Sequence, residues 1–291
     1  MATREGCRRP VAGSRDLRLM YSPSSSLGGG KPLSGFLEWL AADAKEATTT
    51  AAAASIRPSL AELLSYSISS TSTSRSPLKE DSAELTPRLV RLEAPLALFL
   101  AAVEYNAETG AMADPLTQLY IAQAPLAELP HGMQQDVPAP DLVQHAGRGD
   151  VYDSSVWLGL EPTYTPWHRD PNPNLFCQLC SSKTVRLMAP VGGERIFRQV
   201  QEELMRRRTS SASASSRIRG EEMMQGPERE LLHRAVWGEE SEEGTKQPRG
   251  TMYEAKLDAG DMLFIPKGWW HSVCSVHADG RLNGSVNWWF R

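Results

Sequence analysis

The spacing of apolar residues differs between the two ends of this 291-residue chain. In the N-terminal third the apolar positions recur at helical intervals, as in GFLEWLAADAKEA. This spacing predicts three helices, at 35–47, 59–67 and 95–107. Residues 1–35 are rich in Gly, Ser and Arg and are expected to be irregular. Low-complexity runs at 48–55 and 67–76 are expected to be partly disordered.

After the third helix the apolar residues fall into short runs that Pro, Gly, Asn and Asp separate. Seven such runs predict strands: 116–126, 153–162, 174–182, 183–190, 251–266, 271–276 and 283–291. Many short strands with turn residues between them are typical of an all-β barrel or sandwich. Residues 191–250 interrupt the pattern with charged, helix-prone and Ser-rich sequence. Its acidic and basic residues are nearly balanced, which predicts a solvated insertion rather than a nucleic-acid-binding arm.

The chain is therefore predicted to be mainly β. An irregular and helical N-terminal region, 1–94, would precede a β core at 95–291 that carries the 191–250 insertion. The net charge of −4 and a pI near 5.9 argue against a general nucleic-acid binder. No apolar run is long enough for a membrane span, and the N-terminus lacks a secretory apolar segment. A cytoplasmic or nuclear location is expected.

Cysteine usage is sparse, which fits a reducing compartment. The four residues are Cys7, Cys177, Cys180 and Cys274. Cys177 and Cys180 form a C-x-x-C, which could indicate a redox or zinc site. No second C-x-x-C or zinc-finger His pair follows, and the motif lies in the apolar run NLFCQLC. Buried, unreactive thiols are therefore the preferred interpretation.

The segment PTYTPWHRDPNPN holds the candidate chemistry of the chain. His168 and Asp170 stand two residues apart among prolines, and side chains at i and i+2 of a strand point the same way. A 2-His-1-carboxylate triad on iron needs one more histidine. The candidate is His271, in GDMLFIPKGWWHSV, where Trp269 and Trp270 are expected to wall the site. The alternative is a polar turn between two strands, because His-x-Asp occurs by chance often.

These motifs together resemble the JmjC-type, cupin-fold Fe(II)/2-oxoglutarate oxygenases, among them the asparaginyl hydroxylase that inhibits hypoxia-inducible factor. The matching pieces, in order, are TPWHRD, NLFCQL, KTVRLMAP, GDMLFIPKGWWH and SVNWW. The resemblance covers roughly 116–190 and 251–291. It implies a double-stranded β-helix (jelly-roll or cupin) core, with Fe(II), 2-oxoglutarate and O2 as reactants.

The resemblance also implies a role for each matching residue. His168, Asp170 and His271 would be the catalytic iron ligands. Lys183 would pair with the distal carboxylate of 2-oxoglutarate, an assignment that fits a lysine opening an otherwise apolar strand; the alternative is an exposed strand-end lysine. Further cosubstrate contacts are implied for Thr165, Tyr120 and Asn287, with Trp289 as an aromatic wall beside the cosubstrate. Asn174 would contact either the cosubstrate or a residue that holds the metal.

The implied reaction is hydroxylation of a protein side chain, with release of succinate and CO2. Two alternatives share this chemistry: demethylation of N-methyl-lysine and hydroxylation of a modified tRNA base, although the acidic pI disfavours nucleic acid. A different class is a catalytically silent cupin-like binding module, or a sugar isomerase or storage cupin. A protein or peptide partner is expected, with no membrane. Homodimer formation is left undecided. Either 192–208 or 252–256 is expected to border the substrate groove.

Overall fold

The computed structural model describes nine stretches of the chain: residues 16–21, 31–46, 56–73, 90–109, 114–117, 119–146, 148–208, 226–238 and 250–291. Its helices are α1 (Lys31–Glu46), α2 (Ile56–Thr73), α3 (Leu96–Thr109), α4 (His131–Asp136), α5 (Asp141–His145), α6 (Pro190–Arg208) and α7 (Pro227–Trp237). Its strands are β1 (Asp16–Tyr21), β2 (Val90–Pro95), β3 (Leu119–Pro125), β4 (Val151–Leu160), β5 (Tyr164–Arg169), β6 (Asn174–Cys180), β7 (Lys183–Met188), β8 (Tyr253–Leu257), β9 (Met262–Ile265), β10 (Trp270–Ser275) and β11 (Leu282–Phe290).

The strands form two antiparallel sheets. The larger has seven strands in the order β2-β1-β3-β4-β11-β6-β9, and the smaller has four in the order β5-β10-β7-β8. From β4 onwards consecutive strands alternate between the sheets, except for β7 and β8, which are neighbours in the smaller sheet; such alternation is typical of a jelly roll. The prediction of a mainly β, jelly-roll core is confirmed. The predicted strand at 251–266 is two strands, because a turn with Gly260 at φ +96° separates them.

The N-terminal region contains more regular structure than its composition suggested. Residues 16–21, expected to be irregular, form β1, which pairs with both β2 and β3. Helix α2 continues to Thr73 through a Ser/Thr run that was expected to be low-complexity loop. Both elements bury leucines, Leu19 on β1 and Leu60 on α2, in the core between the helices and the larger sheet. Tertiary burial thus overrides weak local propensity here. The division at residue 94 stays a prediction.

Two smaller clusters complete the core. One fills the space between the two sheets and includes Phe176, Val185, Leu187 and Ile265. The other joins helices α6 and α7 to the outer face of the smaller sheet. The insertion was expected to be solvated, but its described parts include these two packed helices. No helix in the described stretches is long and apolar enough to cross a membrane.

Candidate metal centre

Strand β5 carries the first candidate ligand next to an irregularity in the sheet. His168 pairs with His271 on β10, whereas Thr165 pairs with Val273, so three steps along β5 match two along β10. Pro166 lies inside this bulge on the edge strand of the smaller sheet, where its missing N–H leaves no ladder bond unmade. Asp170 follows directly after the strand ends. The bulge therefore aims the His-x-Asp pair towards β10.

The three predicted metal ligands converge on one point. One ligand atom from each of His168, Asp170 and His271 lies within 4.8 Å of the others. Each histidine Nε2 lies 3.8 Å from a carboxylate oxygen of Asp170, His168 from Oδ1 and His271 from Oδ2. The imidazole centroids are 4.1 Å apart. A 101-residue gap in sequence is closed because β5 and β10 are neighbours in the sheet.

Backbone carbonyls orient both imidazoles. The Nδ1 of His168 lies 2.8 Å from the carbonyl oxygen of Pro166, and that of His271 lies 3.2 Å from the carbonyl of Trp269. An Nδ1–H donated to a carbonyl leaves Nε2 with its lone pair facing Asp170, which is the tautomer that a metal ligand requires. Burial, together with the nearby His168, lowers the pKa of His271 to about 4. A neutral imidazole is also the form that binds metal.

The carboxylate of Asp170 is held by two donors from the larger sheet. Asn174 Nδ2 donates to Oδ2 at 2.9 Å, and Trp289 Nε1 donates to the same oxygen at 2.8 Å. Burial opposes the charge of this carboxyl group, but the two histidines and these two donors bring its pKa below the ordinary value. Asn174 was expected to contact either the cosubstrate or a residue that holds the metal, and Trp289 was expected to form an aromatic wall beside the cosubstrate. In this structure they position the acidic ligand.

Lys183 lies inside the barrel and not on its surface. Only 3% of the residue is exposed, and its Nζ donates to Ser285 Oγ at 2.7 Å. It forms no ion pair with any carboxylate of the described residues. Burial lowers the pKa of Lys183 to about 7, although Cys180 and Glu161 oppose the change. The interpretation as an exposed strand-end lysine is therefore wrong.

Other predicted polar residues line the same interior. The hydroxyls of Tyr120 and Thr165 are neighbours in this interior, and burial raises the pKa of Tyr120. Asn287 Nδ2 donates to Asn174 Oδ1 at 2.8 Å, which continues the chain of amides that ends on Asp170. The Oδ1 of Asn287 is buried and has no hydrogen-bond partner among the described residues. An acceptor in such a position is available to a bound molecule.

Two interior residues were not predicted from the sequence. Ser285 binds Lys183, and Trp157 stands opposite Ser285 across the β4–β11 ladder. The indole N–H of Trp157 is buried without a partner in the described part of the chain. Trp157 belongs to none of the matching motifs, and Ser285 begins the SVNWW motif but was given no role. Ser285, Asn287 and Trp289 nevertheless alternate along one strand, and that period-two pattern could have identified Ser285 as facing inward.

The tryptophans beside the metal ligands face two directions. Trp167 and Trp270, one residue before His168 and His271, are fully buried on the outer face of the smaller sheet, stacked at 6.1 Å under α6 and α7. The expectation that Trp270 walls the site is wrong, because adjacent strand residues point to opposite faces. Trp269 instead packs against the cluster between the sheets.

The open end of the barrel lies beside the triad. The ring centroids of Trp269 and Tyr253 are 5.8 Å apart, and Tyr253 is 51% exposed. Tyr253 pairs with Leu187, which also pairs with His271, so the tyrosine lies in the same cross-strand row as the triad histidines. Of the two segments expected to border a substrate groove, 252–256 therefore includes a residue in the row of the triad histidines, and its place at a groove stays a prediction. Helix α6, which contains the other segment, 192–208, begins near this row and then crosses the outer face of the smaller sheet.

The C-x-x-C motif has the inert character expected of it. Cys177 is buried in the core that faces the helices, and burial raises its pKa to about 11. Burial likewise raises the pKa of Cys180 and brings that of Cys274 to about 12. Thiols with such pKa values hold almost no thiolate at neutral pH. Cys7 lies outside the described residues.

The chain is similar in sequence to several curated proteins. JMJ30, a lysine-specific demethylase of Arabidopsis thaliana, is 26% identical over 60% of this chain and 34% of that protein. Jumonji C domain-containing protein 5 of Drosophila melanogaster is 29% identical over 54% of this chain and 33% of its own length. Lysine-specific demethylase 8 of Danio rerio is 27% identical over 59% of this chain and 36% of its own length. This chain thus spans about a third of the length of these curated relatives.

The JmjC resemblance is confirmed at the level of the domain, whereas a particular similarity to the asparaginyl hydroxylase is not. The sequence profile described as the cupin-like domain matches residues 44–291. That match takes in both sheets from β2 onwards and every predicted site residue. Since it extends over far more than half of the chain, this protein belongs to the cupin-like domain family.

Proposed function

We propose that this protein is an Fe(II)- and 2-oxoglutarate-dependent dioxygenase that hydroxylates a protein side chain. The observation that carries the proposal is a His-Asp-His triad in the same barrel as a buried, unpaired ammonium group. The triad is at the open end. Lys183 is four residues along β7 from Leu187, the residue that pairs with His271, which corresponds to about 13 Å of strand. A small dicarboxylate can bridge the two.

The triad fits an iron ion on its donor set. Two neutral imidazole nitrogens and one carboxylate oxygen make a 2-His-1-carboxylate site, which suits non-haem Fe(II) and leaves coordination positions free. Both histidines and the aspartate are oriented by second contacts, as metal ligands usually are. His168, Asp170 and His271 would hold the metal.

The chamber beneath the triad fits 2-oxoglutarate. A buried ammonium group without a carboxylate partner is costly, and a bound diacid would supply that partner. Lys183 would bind the distal carboxylate, with hydroxyl donors from Tyr120, Thr165 and Ser285. The unpartnered amide oxygen of Asn287 and indole N–H of Trp157 add polar groups to the same interior.

When bound, the iron and 2-oxoglutarate would supply the oxidation, in which O2 is consumed, succinate and CO2 are released and a substrate C–H becomes C–OH. The protein's own residues bind, orient and exclude water. Asn174 and Trp289 fix the Asp170 carboxylate. Trp269 and Tyr253 form the apolar side of the opening through which a substrate side chain would enter.

The substrate is proposed to be a protein or peptide. An opening beside half-exposed aromatic residues suits an inserted side chain, and the pI near 5.9 disfavours a tRNA. Demethylation of N-methyl-lysine is the second candidate, because JMJ30 and lysine-specific demethylase 8, which this chain resembles, are named for that activity. Hydroxylation of an N-methyl group would release formaldehyde by the same chemistry. A cytoplasmic or nuclear location stays a prediction.

A catalytically silent cupin-like module is the alternative from another class. The experiment that separates these functions measures succinate release by the purified chain, with and without O2, on a library of unmodified and methyl-lysine peptides. Hydroxylation adds one oxygen to the peptide mass, and demethylation removes a methyl group. A protein that binds no iron, and releases no succinate above the level of an Asp170→Ala variant, would be a silent module.

A further inference from the structure

A buried carboxylate closes the barrel at the end away from the triad. Glu161, in the β4–β5 turn, is 0% exposed. Its Oε1 accepts hydrogen bonds from Ser181 Oγ at 2.5 Å and Asn283 Nδ2 at 2.8 Å, and its Oε2 accepts from the backbone N–H of His277 at 2.6 Å. Three donors for two oxygens specify a carboxylate, since an amide offers one acceptor only.

These hydrogen bonds converge on the turn that leads into Lys183. Ser181 has a φ of +57°, a left-handed conformation that is unusual for a residue other than Gly or Asn. Its side chain is tied to Glu161, and Asn283 also donates to the carbonyl oxygen of Ser182 at 3.0 Å. Lys183 follows immediately. Glu161 therefore holds the strained turn whose geometry sets where the lysine side chain enters the barrel.

The negative charge of Glu161, like its hydrogen bonds, affects Lys183. Lys183 faces Cys180 and Glu161 as its titratable neighbours, the ring of Phe176 at 5.5 Å and the hydroxyl of Ser285. Glu161 supplies a negative charge to this surrounding without forming an ion pair with the lysine. This charge opposes the effect of burial and favours the ammonium form, while no carboxylate of the described residues accepts a hydrogen bond from Lys183.

We propose that Glu161 is a positioning residue for 2-oxoglutarate binding: it fixes the Ser181–Ser182 turn from which Lys183 enters the barrel. The inference rests on the proposed function, because it takes Lys183 as the carboxylate-binding group. It assigns no contact between Glu161 and the cosubstrate. The opposing view is that Glu161 only ties three loops together and contributes to folding.

The test measures 2-oxoglutarate affinity by isothermal titration calorimetry on the full chain loaded with Mn(II), so that no turnover occurs. Glu161→Gln should weaken binding by roughly 10-fold, the scale of one charge-assisted hydrogen bond, and Ser181→Ala should weaken it less. Ser182→Ala is the matched control, because Ser182 Oγ bonds Asp258 on the outside of the same turn. That variant should bind as the wild type does.

The pH profile separates positioning from folding. Removing the negative charge of Glu161 lowers the pKa of Lys183, so the alkaline loss of 2-oxoglutarate affinity should begin at lower pH in Glu161→Gln. A variant with a lower unfolding temperature but wild-type affinity and pH profile would overturn the inference. If Glu161→Gln fails to fold, Ser181→Ala carries the test: wild-type affinity there overturns it equally. Lys183→Ala is the reference, and wild-type affinity in that variant would instead refute the proposed cosubstrate site.

Discussion

Replacing Lys183 with Met is the sharpest test of the buried ammonium group. The substitution keeps an unbranched side chain of similar length in a space that is 97% shielded from solvent, since only 3% of the lysine is exposed. It removes the charge and the bond to Ser285 but leaves the triad unchanged. Loss of a charge-assisted contact costs about 1.5–3 kcal/mol, so 2-oxoglutarate binding should weaken about 10- to 100-fold.

The pKa of Lys183 gives the same prediction a pH dependence of known sign. Burial takes that pKa from 10.5 to about 7, so between these pH values the unfolded chain binds a proton that the folded chain lacks. The free energy of unfolding of the cosubstrate-free protein should therefore rise with pH across this window, by roughly 5 kcal/mol at most. Binding of 2-oxoglutarate needs the ammonium form, so its affinity should fall over the same window, approaching tenfold for each pH unit.

Two measurements on wild type and Lys183→Met check this reasoning. Calorimetric titration of 2-oxoglutarate into the Mn(II)-loaded protein, between about pH 6 and pH 9, should show an alkaline loss of affinity in wild type only. Denaturant unfolding of the cosubstrate-free proteins should show a stability difference between them that changes over the same range. Equal affinities at pH 7, or a wild-type affinity that is flat from pH 7 to pH 9, would refute the assignment of Lys183.

The remaining predictions concern the triad, the hydroxyl donors and the outer core. Asp170→Ala should abolish binding of Fe(II), measured by metal analysis after dialysis, while circular dichroism stays that of the wild type; retained stoichiometric iron would contradict the triad. Thr165→Val and Tyr120→Phe should each weaken 2-oxoglutarate binding by about 0.5–1.5 kcal/mol, less than Lys183→Met, because a neutral hydrogen bond is weaker. Trp270→Ala should cost about 3–5 kcal/mol of stability in a urea titration, since it empties a fully buried site; a loss below about 1 kcal/mol would show that α6 and α7 do not depend on it.

Much of the fold could be predicted because the relevant patterns are local. Period-two alternation and turn residues identified the barrel strands from 116 onwards, except that no predicted run covered β5 and that β8 and β9 were predicted as one strand. Strand β1 escaped because its short run DLRLMY lies among polar and small residues, and β2 escaped because it leads directly into the apolar run of α3. Their pairing depends on distant β3, which no local pattern reveals. The continuation of α2 through Ser and Thr residues follows from leucines that bury against β2 and α1, again a tertiary cause.

The candidate site could likewise be predicted only in part. His168 and Asp170 were visible as a motif, and His271 as a histidine in a strong strand context. Their convergence required the bulge at Pro166, whose register the sequence does not display. The inward or outward direction of Trp269 and Trp270 also depends on register, since a shift of one residue exchanges the two faces.

The pairing of His168 with His271 joins an edge strand to an interior one. Strand β5 is the last strand of the smaller sheet, and among the described strands β10 is its only ladder partner. Edge strands open first in native-state exchange, because one side of their backbone is unpaired. A metal held by both histidines would link β5 to β10 and oppose separation of the two strands. Backbone amides of β5 would then exchange with solvent more slowly in the metal-loaded protein, so hydrogen exchange could report occupancy of the site before any substrate is known.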